Sequence, residues 1–562
     1  MDRIIKTVFG TIYQGLFGSG LLILITSALL TGCYKDMSTL ATNPIADLNL
    51  DTTGISKNLY VEYLDELVLE PKLQSEEGLT FKWELFAGND ENNLKRELIG
   101  TDLKLRHTID KPQSNTPYRL LLTITDTKHD NLESLYSWSV TVQGSILSGL
   151  LVAETSDDET TELSYIKDQN VTLKYDREPK VFRQMLKATP TGPVKGLVNN
   201  LIYTYFGYRG WMSPGTVVWV TTKDGQLLQL DHKDFNLLAD LSTEKLVAYK
   251  PDPNLKAKNL HLSARSLFLD SSAGYYWINN VNGGAYYREV PFFADPDPLL
   301  ANVHMSNGVA GCYSDANPSS MILWYDDTTG TIRTICEKNY ALEVSGYLKN
   351  ASFDPDNLPG KEAVAIAYTE DGKGGRLLLR SKSDRSYSLY TVTHYVPEKK
   401  DWRTKEIIQY EAPASANRAY TISSEGAAIL RQAKSVFFAE RNNVFFAVTD
   451  QAVYAFTYGL SDEVTTPTAP VYTPPAGETL TMGRLFVQGD YAQYKAMMKK
   501  SQLPWNEAAL ILVSQKGTGK GSGVVRIVSI DPDRAAAGTL LTSQAIEYTG
   551  FDKILSVTHI GD

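Results

Sequence analysis

Short segments in which apolar and polar residues alternate dominate the chain from about residue 54 onwards. Residues 79–85 alternate strictly, which is typical of a strand with one buried face. Residues 118–126 and 138–142 are two further strand-like runs, rich in β-branched and aromatic side chains. Several short strands within a stretch of about 90 residues are typical of an immunoglobulin-like β-sandwich. We therefore predict such a sandwich at residues 54–144.

After residue 144 the chain repeats one unit, a pair of apolar strands on either side of a turn rich in Asp and Gly. Such turns are typical of β-hairpins. The unit recurs roughly every 60 residues and predicts seven hairpins. Their strands are 150–153 with 163–166, 217–220 with 227–230, 266–269 with 275–278, 322–325 with 332–335, 363–368 with 377–379, 444–448 with 452–456, and 510–513 with 524–530.

A single hairpin cannot bury its own apolar face, so repeated units have to stack on one another. A closed ring of sheets satisfies this requirement and leaves no long exposed edges. The sequence therefore predicts an all-β protein with a β-propeller of about seven blades at residues 145–562. Six or eight blades remain open because the period is loose, and further β-sandwiches without ring closure are the alternative. Helical spacing of aromatic and Met residues predicts one surface helix at 490–500.

The N-terminus has the order of a secretory signal: basic residues, an apolar run and then small residues before a cysteine. The run Leu30-Thr31-Gly32-Cys33 resembles the lipobox of bacterial lipoproteins, in which the cysteine thiol receives a lipid. We therefore predict a signal peptide at residues 1–32, lipid attachment at Cys33 and a polar tether at 33–53. A spanning helix is the alternative, but it needs about 20 apolar residues, and the strongly apolar run is shorter.

Composition and charge exclude several classes of protein. The chain has 562 residues and is 43% hydrophobic, which is ordinary for a folded protein. Its net charge of −10 argues against nucleic acid as a partner.

Besides Cys33, the chain has Cys312 and Cys336, which flank a predicted hairpin. They could form a disulfide in an oxidising compartment, and two buried free thiols are the alternative.

No catalytic or cofactor motif is recognisable. None of the seven histidines has a second histidine four residues on with a glutamate between, and there is no G-x-S-x-G sequence. Pairs of carboxylates could hydrolyse glycosides, but with 65 acidic residues no pair can be singled out. We therefore predict no catalytic residue, no metal site and no cofactor. A hydrolase acting on glycosides, with its site in the propeller, remains the alternative function.

Aromatic residues in loops that contain Gly and Pro favour a binding function instead. Exposed flat rings stack on the apolar faces of sugars and dominate contact energies at interfaces. Packing within the blades is the structural alternative for each ring. The candidates for ligand binding are Tyr205, Tyr208, Trp211, Tyr286, Tyr287 and Trp402.

Three segments together resemble the PKD-like lipoproteins of Bacteroidota. The run Phe81-Lys82-Trp83-Glu84 is similar to one strand of PKD-like domains, residues 118–126 are similar to another, and Cys33-Tyr34-Lys35-Asp36 is similar to the start of surface-exported lipoproteins. The resemblance implies a lipid-anchored protein of the outer membrane that faces the cell exterior. It also implies a location beside an outer-membrane transporter and its substrate-binding lipoprotein, and hence non-enzymatic capture of a nutrient glycan or peptide, or assembly with that uptake system.

Overall fold

A computed structural model describes residues 48–63, 65–87, 96–111, 116–143, 148–173, 175, 178–204, 216–240, 254–263, 266–279, 300–306, 310–311, 320–338, 341–369, 372–396, 398–439, 443–489, 503–532 and 538–561. Within these ranges the regular secondary structure is almost entirely β-strand. The strands fall into an N-terminal group and a longer series of sheets that starts at residue 148.

The N-terminal group consists of two sheets. Its strands are β1 (Asn58–Glu62), β2 (Glu66–Leu69), β3 (Leu79–Phe86), β4 (Glu97–Gly100), β5 (Leu105–Thr108), β6 (Tyr118–Asp126) and β7 (Leu132–Gln143). One sheet has the order β1-β7-β6-β3-β4, and the other pairs β2 with β5. The three strands predicted at 79–85, 118–126 and 138–142 are therefore confirmed as neighbours in one sheet.

The two N-terminal sheets share one apolar core. Trp83 on β3 and Trp138 on β7 lie with their ring centroids 5.4 Å apart, and both are buried. The indole Nε1 of Trp83 donates to the backbone oxygen of Asp102 over 2.8 Å, which satisfies its polar atom. Leu67 and Leu105 of the smaller sheet belong to the same cluster. Two layers around one core are what a β-sandwich requires, while membership of the PKD-like family stays a prediction.

The described residues from 148 onwards form seven further sheets, numbered here in chain order. Sheet 1 contains β8 (Ser148–Thr155), β9 (Thr160–Lys167), β10 (Lys180–Phe182), β11 (Val194–Lys195) and β36 (Lys553–Gly561); sheet 2 contains β12 (Val198–Thr204), β13 (Val217–Thr222), β14 (Leu227–Asp231) and β15 (Leu237–Asp240); sheet 3 contains β16 (Ala257–Ser263), β17 (Ser266–Ser271) and β18 (Gly274–Asn279); sheet 4 contains β19 (Ala310–Gly311), β20 (Ser320–Asp326), β21 (Thr331–Lys338) and β22 (Ala341–Ser345).

The remaining sheets follow the same plan. Sheet 5 contains β23 (Lys361–Tyr368), β24 (Gly374–Ser381), β25 (Tyr387–Thr393) and β28 (Ser415–Thr421), and the two-stranded hairpin of β26 (Lys399–Lys400) and β27 (Ile407–Gln409) is inserted between its last two strands. Sheet 6 contains β29 (Ser435–Phe438), β30 (Val444–Val448) and β31 (Val453–Thr457). Sheet 7 contains β32 (Thr479–Leu485), β33 (Ala509–Gln515), β34 (Gly523–Ser529) and β35 (Ile546–Phe551).

All seven predicted hairpins are confirmed as antiparallel strand pairs, one in each sheet. In sheets 2 to 7 the strands are hydrogen-bonded in chain order, so each sheet is a local meander. The first strand of each of these sheets contacts the first strand of the next, from β12 to β32, and β36 contacts sheets 2 and 7. The series of sheets is therefore propeller-like.

The apolar core is divided among the spaces between consecutive sheets. One cluster joins sheets 2 and 3 around Trp219, and another joins sheets 4 and 5 around Tyr325 and Leu377. Further clusters join sheets 5 and 6, 6 and 7, and 7 and 1. Because each sheet is buried on both faces by its neighbours, its central strands are almost continuously apolar. Residues of β13 and β30 illustrate this, since every position of both strands is buried.

The C-terminal strand β36 completes sheet 1, the sheet in which this part of the chain begins. It pairs antiparallel with β8, from Lys553 opposite Thr155 to Gly561 opposite Ser148. Burial lowers the pKa of His559 on β36 to about 4, so the imidazole is neutral at physiological pH. Its Nδ1 accepts from the backbone N–H of Gly489 over 2.8 Å, and its Nε2 donates to the backbone oxygen of Val171 over 2.7 Å. The last strand is thus tied to sheet 1 and to the segment that follows β32 in sheet 7.

The N-terminal group packs directly against sheets 1 and 2. Its core cluster continues from Val61 to Tyr165 and Phe235 of those sheets. Two ion pairs cross the same boundary: the Lys167 Nζ lies 2.5 Å from Glu62, and the Lys180 Nζ lies 2.7 Å from Asp65. A shared apolar core with flanking ion pairs favours a fixed joint over a flexible linker.

One helix of the described residues, α1 (Ser424–Gln432), was not predicted from the sequence. Its N-terminus is capped by the side chain of Ser423, which accepts from the backbone N–H of Gly426. The helix predicted at 490–500 lies outside the described residues. Across the ranges given above, no helix combines the length and the apolar character that crossing a membrane requires.

Candidate ligand-binding site

A cleft of about 650 Å³ opens between the outer strands of sheets 4 and 5. Its walls come from two segments, the end of sheet 4 with the connection that follows it, and the residues on either side of the inserted hairpin. The lining residues are Thr334, Ser345, Gly346, Tyr347, Leu348, Asp356, Tyr395, Glu411, Pro413 and Ala414. The cleft volume lies within the range of small-molecule sites.

Backbone pairing holds the two walls together. After β22 the chain continues in an extended conformation, and Leu348 forms a parallel bridge with Ser415 at the start of β28. The Leu348 N–H donates to the backbone oxygen of Ala414 over 2.9 Å, and the Ala416 N–H donates to the backbone oxygen of Leu348 over 2.7 Å. These bonds make the cleft part of the folded framework.

Tyr347 forms a fixed aromatic wall of the cleft. Its side chain is 4% exposed, and its hydroxyl forms a 2.8 Å hydrogen bond with Nδ1 of the buried His394. The His394 ring in turn packs on Tyr368 with the ring centroids 4.6 Å apart. Because both neighbours are buried, the orientation of the Tyr347 ring is determined before any ligand arrives.

The polar part of the cleft is acidic. Asp356 forms an ion pair with Arg333, and Gly346 lies against this pair. A Cβ at Gly346 would come within 2.6 Å of the Arg333 Nη1, so a side chain at this position would displace the guanidinium. Glu411 adds a second, exposed carboxylate, and the lining includes neither Lys nor Arg. Within the part of the chain that the structure describes, no group of three or more His, Cys, Asp or Glu side chains is placed to hold a metal ion.

The inserted hairpin rises from one wall of the cleft. Its base is closed by a bridge between Val396 and Ala412, whose neighbours Tyr395 and Glu411 line the cleft. Its turn is held by Asp401, whose Oδ1 accepts from the backbone N–H groups of Thr404 and Arg403 over 2.7 and 2.8 Å. These two hydrogen bonds stabilise the carboxylate and lower the pKa of Asp401. The hairpin is thus a defined local structure.

Four large apolar side chains of the hairpin are exposed, and Ile407, at 39%, is the least exposed of them. Trp402 is 75% exposed, Tyr410 is 76% exposed and Ile408 is 59% exposed. The Arg403 guanidinium lies 4.9 Å from the centre of the Trp402 ring, a cation–π arrangement that helps to orient the indole. Exposed aromatic side chains grouped beside a cleft are a feature of binding surfaces rather than of packing. We call Trp402, Ile408 and Tyr410 the hairpin ridge.

A second, smaller cavity of about 290 Å³ lies between sheets 5 and 6. Arg376, one of its lining residues, donates from Nη1 to the backbone oxygen of Ala439 over 2.9 Å and packs over the Phe438 ring. Its guanidinium therefore joins the two sheets. The larger cleft, with the hairpin ridge beside it, is the better candidate for a ligand site.

Of the predicted binding aromatics, Trp402 is the one whose exposure the structure describes, and its role in ligand binding stays a prediction. Tyr205, Tyr208, Trp211, Tyr286 and Tyr287 lie outside the described residues and stay predictions. The same holds for Cys33 and Cys312. Cys336 lies on β21 opposite Glu343, but its side chain is not described, so its pairing with Cys312 also stays a prediction.

The other residues of the cleft and the hairpin ridge were not predicted from the sequence. Tyr410 carries a signal that could have been used, since residues 407–410 put apolar side chains into an otherwise charged segment. Tyr347, Tyr395, Asp356 and Glu411 carry no such signal. They come from separate segments of the chain and meet because sheets 4 and 5 are neighbours.

Neither a protein-family model nor a curated protein matches the chain. Among solved structures, a quinoprotein alcohol dehydrogenase-like protein of Bacteroides thetaiotaomicron is 11% identical, with a TM-score of 0.40 over 92% of this chain and 99% of that one. Apo AztD from Citrobacter koseri is 10% identical, with a TM-score of 0.30 over 86% and 98%. An oligogalacturonate lyase in complex with manganese is 8% identical, with a TM-score of 0.29 over 78% and 95%. At these values the matches assign no activity, and the description of the fold stands on the chain's own sheets.

Proposed function

We propose that the chain is a non-enzymatic lipoprotein of the outer membrane surface, whose propeller binds a nutrient glycan or peptide or assembles with an uptake system. The observation that carries the binding role is the cleft between sheets 4 and 5 with the exposed hairpin ridge at its edge. A site with aromatic side chains and a few directed polar groups is built to hold a ligand in one orientation.

The arrangement of the sheets supports this role. We propose that the seven sheets are the blades of a closed propeller, with β36 joining the last part of the chain to the first blade. In a ring of seven, sheets 4 and 5 lie opposite sheet 1, against which the N-terminal group packs. The lipid precedes that group in the sequence, so the cleft would lie on the side of the propeller away from the anchored end.

Lipid attachment at Cys33 can be tested by replacing the thiol. The Cys33→Ser variant should lose membrane attachment, because one hydroxyl cannot carry the acyl chains that hold a lipoprotein stably. Cell fractionation and mass spectrometry of the N-terminal peptide measure the result. A Cys33→Ser protein that still sediments with membranes would contradict the anchor, and a Cys312→Ser variant controls for general effects of losing a thiol.

The binding role can be tested with the purified ectodomain, residues 34–562, screened against glycan and peptide panels. We expect binding to members of one panel without any change in the bound compound. Calorimetry scores binding, and chromatography of the same mixtures scores products. Reaction products that disappear when carboxylates of the propeller are replaced would support the alternative, a glycoside hydrolase. An ectodomain that binds neither panel would leave assembly with an uptake system as the remaining role.

A further inference from the structure

We infer that the cleft between sheets 4 and 5 and the hairpin ridge form one extended subsite for an uncharged oligosaccharide. This inference rests on the proposed function and assigns its ligand class and its place. The cleft supplies acceptor oxygens, and the ridge supplies stacking surfaces next to them. Sugars need both, because each ring presents hydroxyl donors at its edge and apolar C–H groups on its faces.

The hydrogen-bond acceptors in the cleft suit the hydroxyl groups of a sugar better than the backbone amides of a peptide. The carboxylates of Asp356 and Glu411 and the hydroxyls of Thr334 and Ser345 all line the cleft. Hydrogen bonds to an ionised acceptor are about twice as strong as neutral ones. A carboxylate accepts two bonds side by side, which matches neighbouring hydroxyls on one sugar ring.

The spacing of the site indicates a chain of several sugar units. Glu411 lies at the base of the hairpin, and Trp402 lies in its turn, at the far end of β26 and β27. At about 3.3 Å for each residue of a strand, a four-residue arm places the indole roughly 13 Å beyond the base. Tyr410 lies between these two points on the same arm. A single sugar unit cannot reach from the cleft to Trp402, whereas an oligosaccharide can.

The charge of the cleft favours a neutral ligand at that end of the site. Two carboxylates and no cation line the cleft, and Arg333 is already engaged by Asp356. A uronic acid or sulfated chain would bring like charges together, which costs affinity. Polyanionic glycans should therefore bind less well than uncharged glycans of the same length.

A protein partner fits the ridge less well. A stable protein interface buries about 800 Å² on each side, with a continuous apolar centre. The ridge has three apolar side chains, and the charged residues Arg403, Lys405 and Glu406 lie between Trp402 and the other two along the hairpin. Rings carried on a narrow hairpin provide stacking platforms but no apolar centre of that size.

The test uses the full ectodomain and three neutral probes, maltohexaose, cellohexaose and mannohexaose, with hexagalacturonate as the charged probe. At least one neutral probe should bind, and Trp402→Ala and Tyr410→Ala should each weaken that binding by about tenfold, the loss expected for a stacking residue worth about 1.4 kcal/mol. Tyr60→Ala is the matched control, because Tyr60 is also exposed but lies in the N-terminal group. Glu411→Gln should reduce the ratio of the affinity for the neutral probe to the affinity for hexagalacturonate.

The outcomes separate this inference from the proposed function. If a glycan binds but Trp402→Ala and Tyr410→Ala leave its affinity unchanged, the placement is wrong and the binding role stands. If peptides bind and the Trp402→Ala and Tyr410→Ala variants bind them more weakly, the placement of the site is right and the ligand class is wrong. If no glycan or peptide binds, both the inference and the ligand-binding role fall. Circular dichroism of each variant excludes unfolding as the cause of a loss.

Discussion

Removing the last strand should abolish cooperative folding of the ectodomain. A chain that ends at Asp552 lacks β36, whose Val557 and Ile560 are fully buried in the cores beside sheet 1. The loss also exposes one edge of β8, a strand that is buried at all eight positions. Losing a single buried Ile or Leu side chain costs about 2–5 kcal/mol, and a domain is stable by only about 5–15 kcal/mol. Urea titration followed by circular dichroism measures the result, which we expect to be a broad transition or an aggregated protein.

The inserted hairpin provides a control of similar length. Replacing residues 399–409 by a short Gly-Ser turn removes mostly exposed side chains above the Val396–Ala412 bridge. We expect that variant to unfold with a midpoint close to that of the unaltered ectodomain. A synthetic peptide with the sequence of residues 553–562 should restore folding of the truncated chain. Cooperative unfolding at an unchanged midpoint after the truncation would contradict a structural role for β36.

Replacing Arg526 by Met should destabilise the ectodomain by about 3–5 kcal/mol, because it leaves a buried charge without its partner. Arg526 on β34 is 4% exposed, and its Nη2 donates to Glu478 over 2.9 Å while its Nε donates to Glu547 over 2.8 Å. Ser514 also donates to Glu478 over 2.7 Å. Burial opposes ionisation of Glu478, but the hydrogen bonds from Arg526 and Ser514 outweigh it and lower the pKa of the carboxyl. The free energy of unfolding from urea titration measures the effect.

Two comparison variants and a pH series test whether the loss of stability comes from the unpaired charge. Arg106→Met removes an arginine that is 61% exposed and paired with exposed glutamates, and it should change stability by less than about 1 kcal/mol. The double variant Arg526→Met with Glu478→Met should recover most of the loss, since both charges are gone. The deficit of the single variant should shrink as the pH falls below the ordinary pKa of 4.5, because protonation then neutralises Glu478. An equal loss at all pH values would argue against a charge effect.

The sequence could predict the hairpins because their determinants are local. In sheet 2, the Asp-Gly turn lies between two runs of apolar residues, and both the turn and the apolar runs are visible within about fifteen residues. Sheet 7 shows the same pattern around a Gly-rich turn. Trp402 was also predictable, since a Trp between charged residues in a polar segment has no core to enter.

Pairings between distant segments could not be predicted in this way. β36 and β8 are paired across about 400 residues, and either strand could equally have paired with another apolar strand. The cleft has the same origin, because Asp356 and Glu411 are ordinary acidic residues until sheets 4 and 5 meet. α1 was missed because it has only nine residues and two of its three buried positions are the small residues Gly426 and Ala427.

The pairing of β36 with β8 has a consequence for how the chain reaches its folded state. A polypeptide that is synthesised or exported from its N-terminus presents β8 long before β36 emerges. Until then, one side of an apolar strand is open to any passing partner. Every product that includes β8 and ends before β36 keeps that open side permanently. A chain that lacks β36 therefore exposes an apolar strand edge that a protease specific for unpaired strands can recognise.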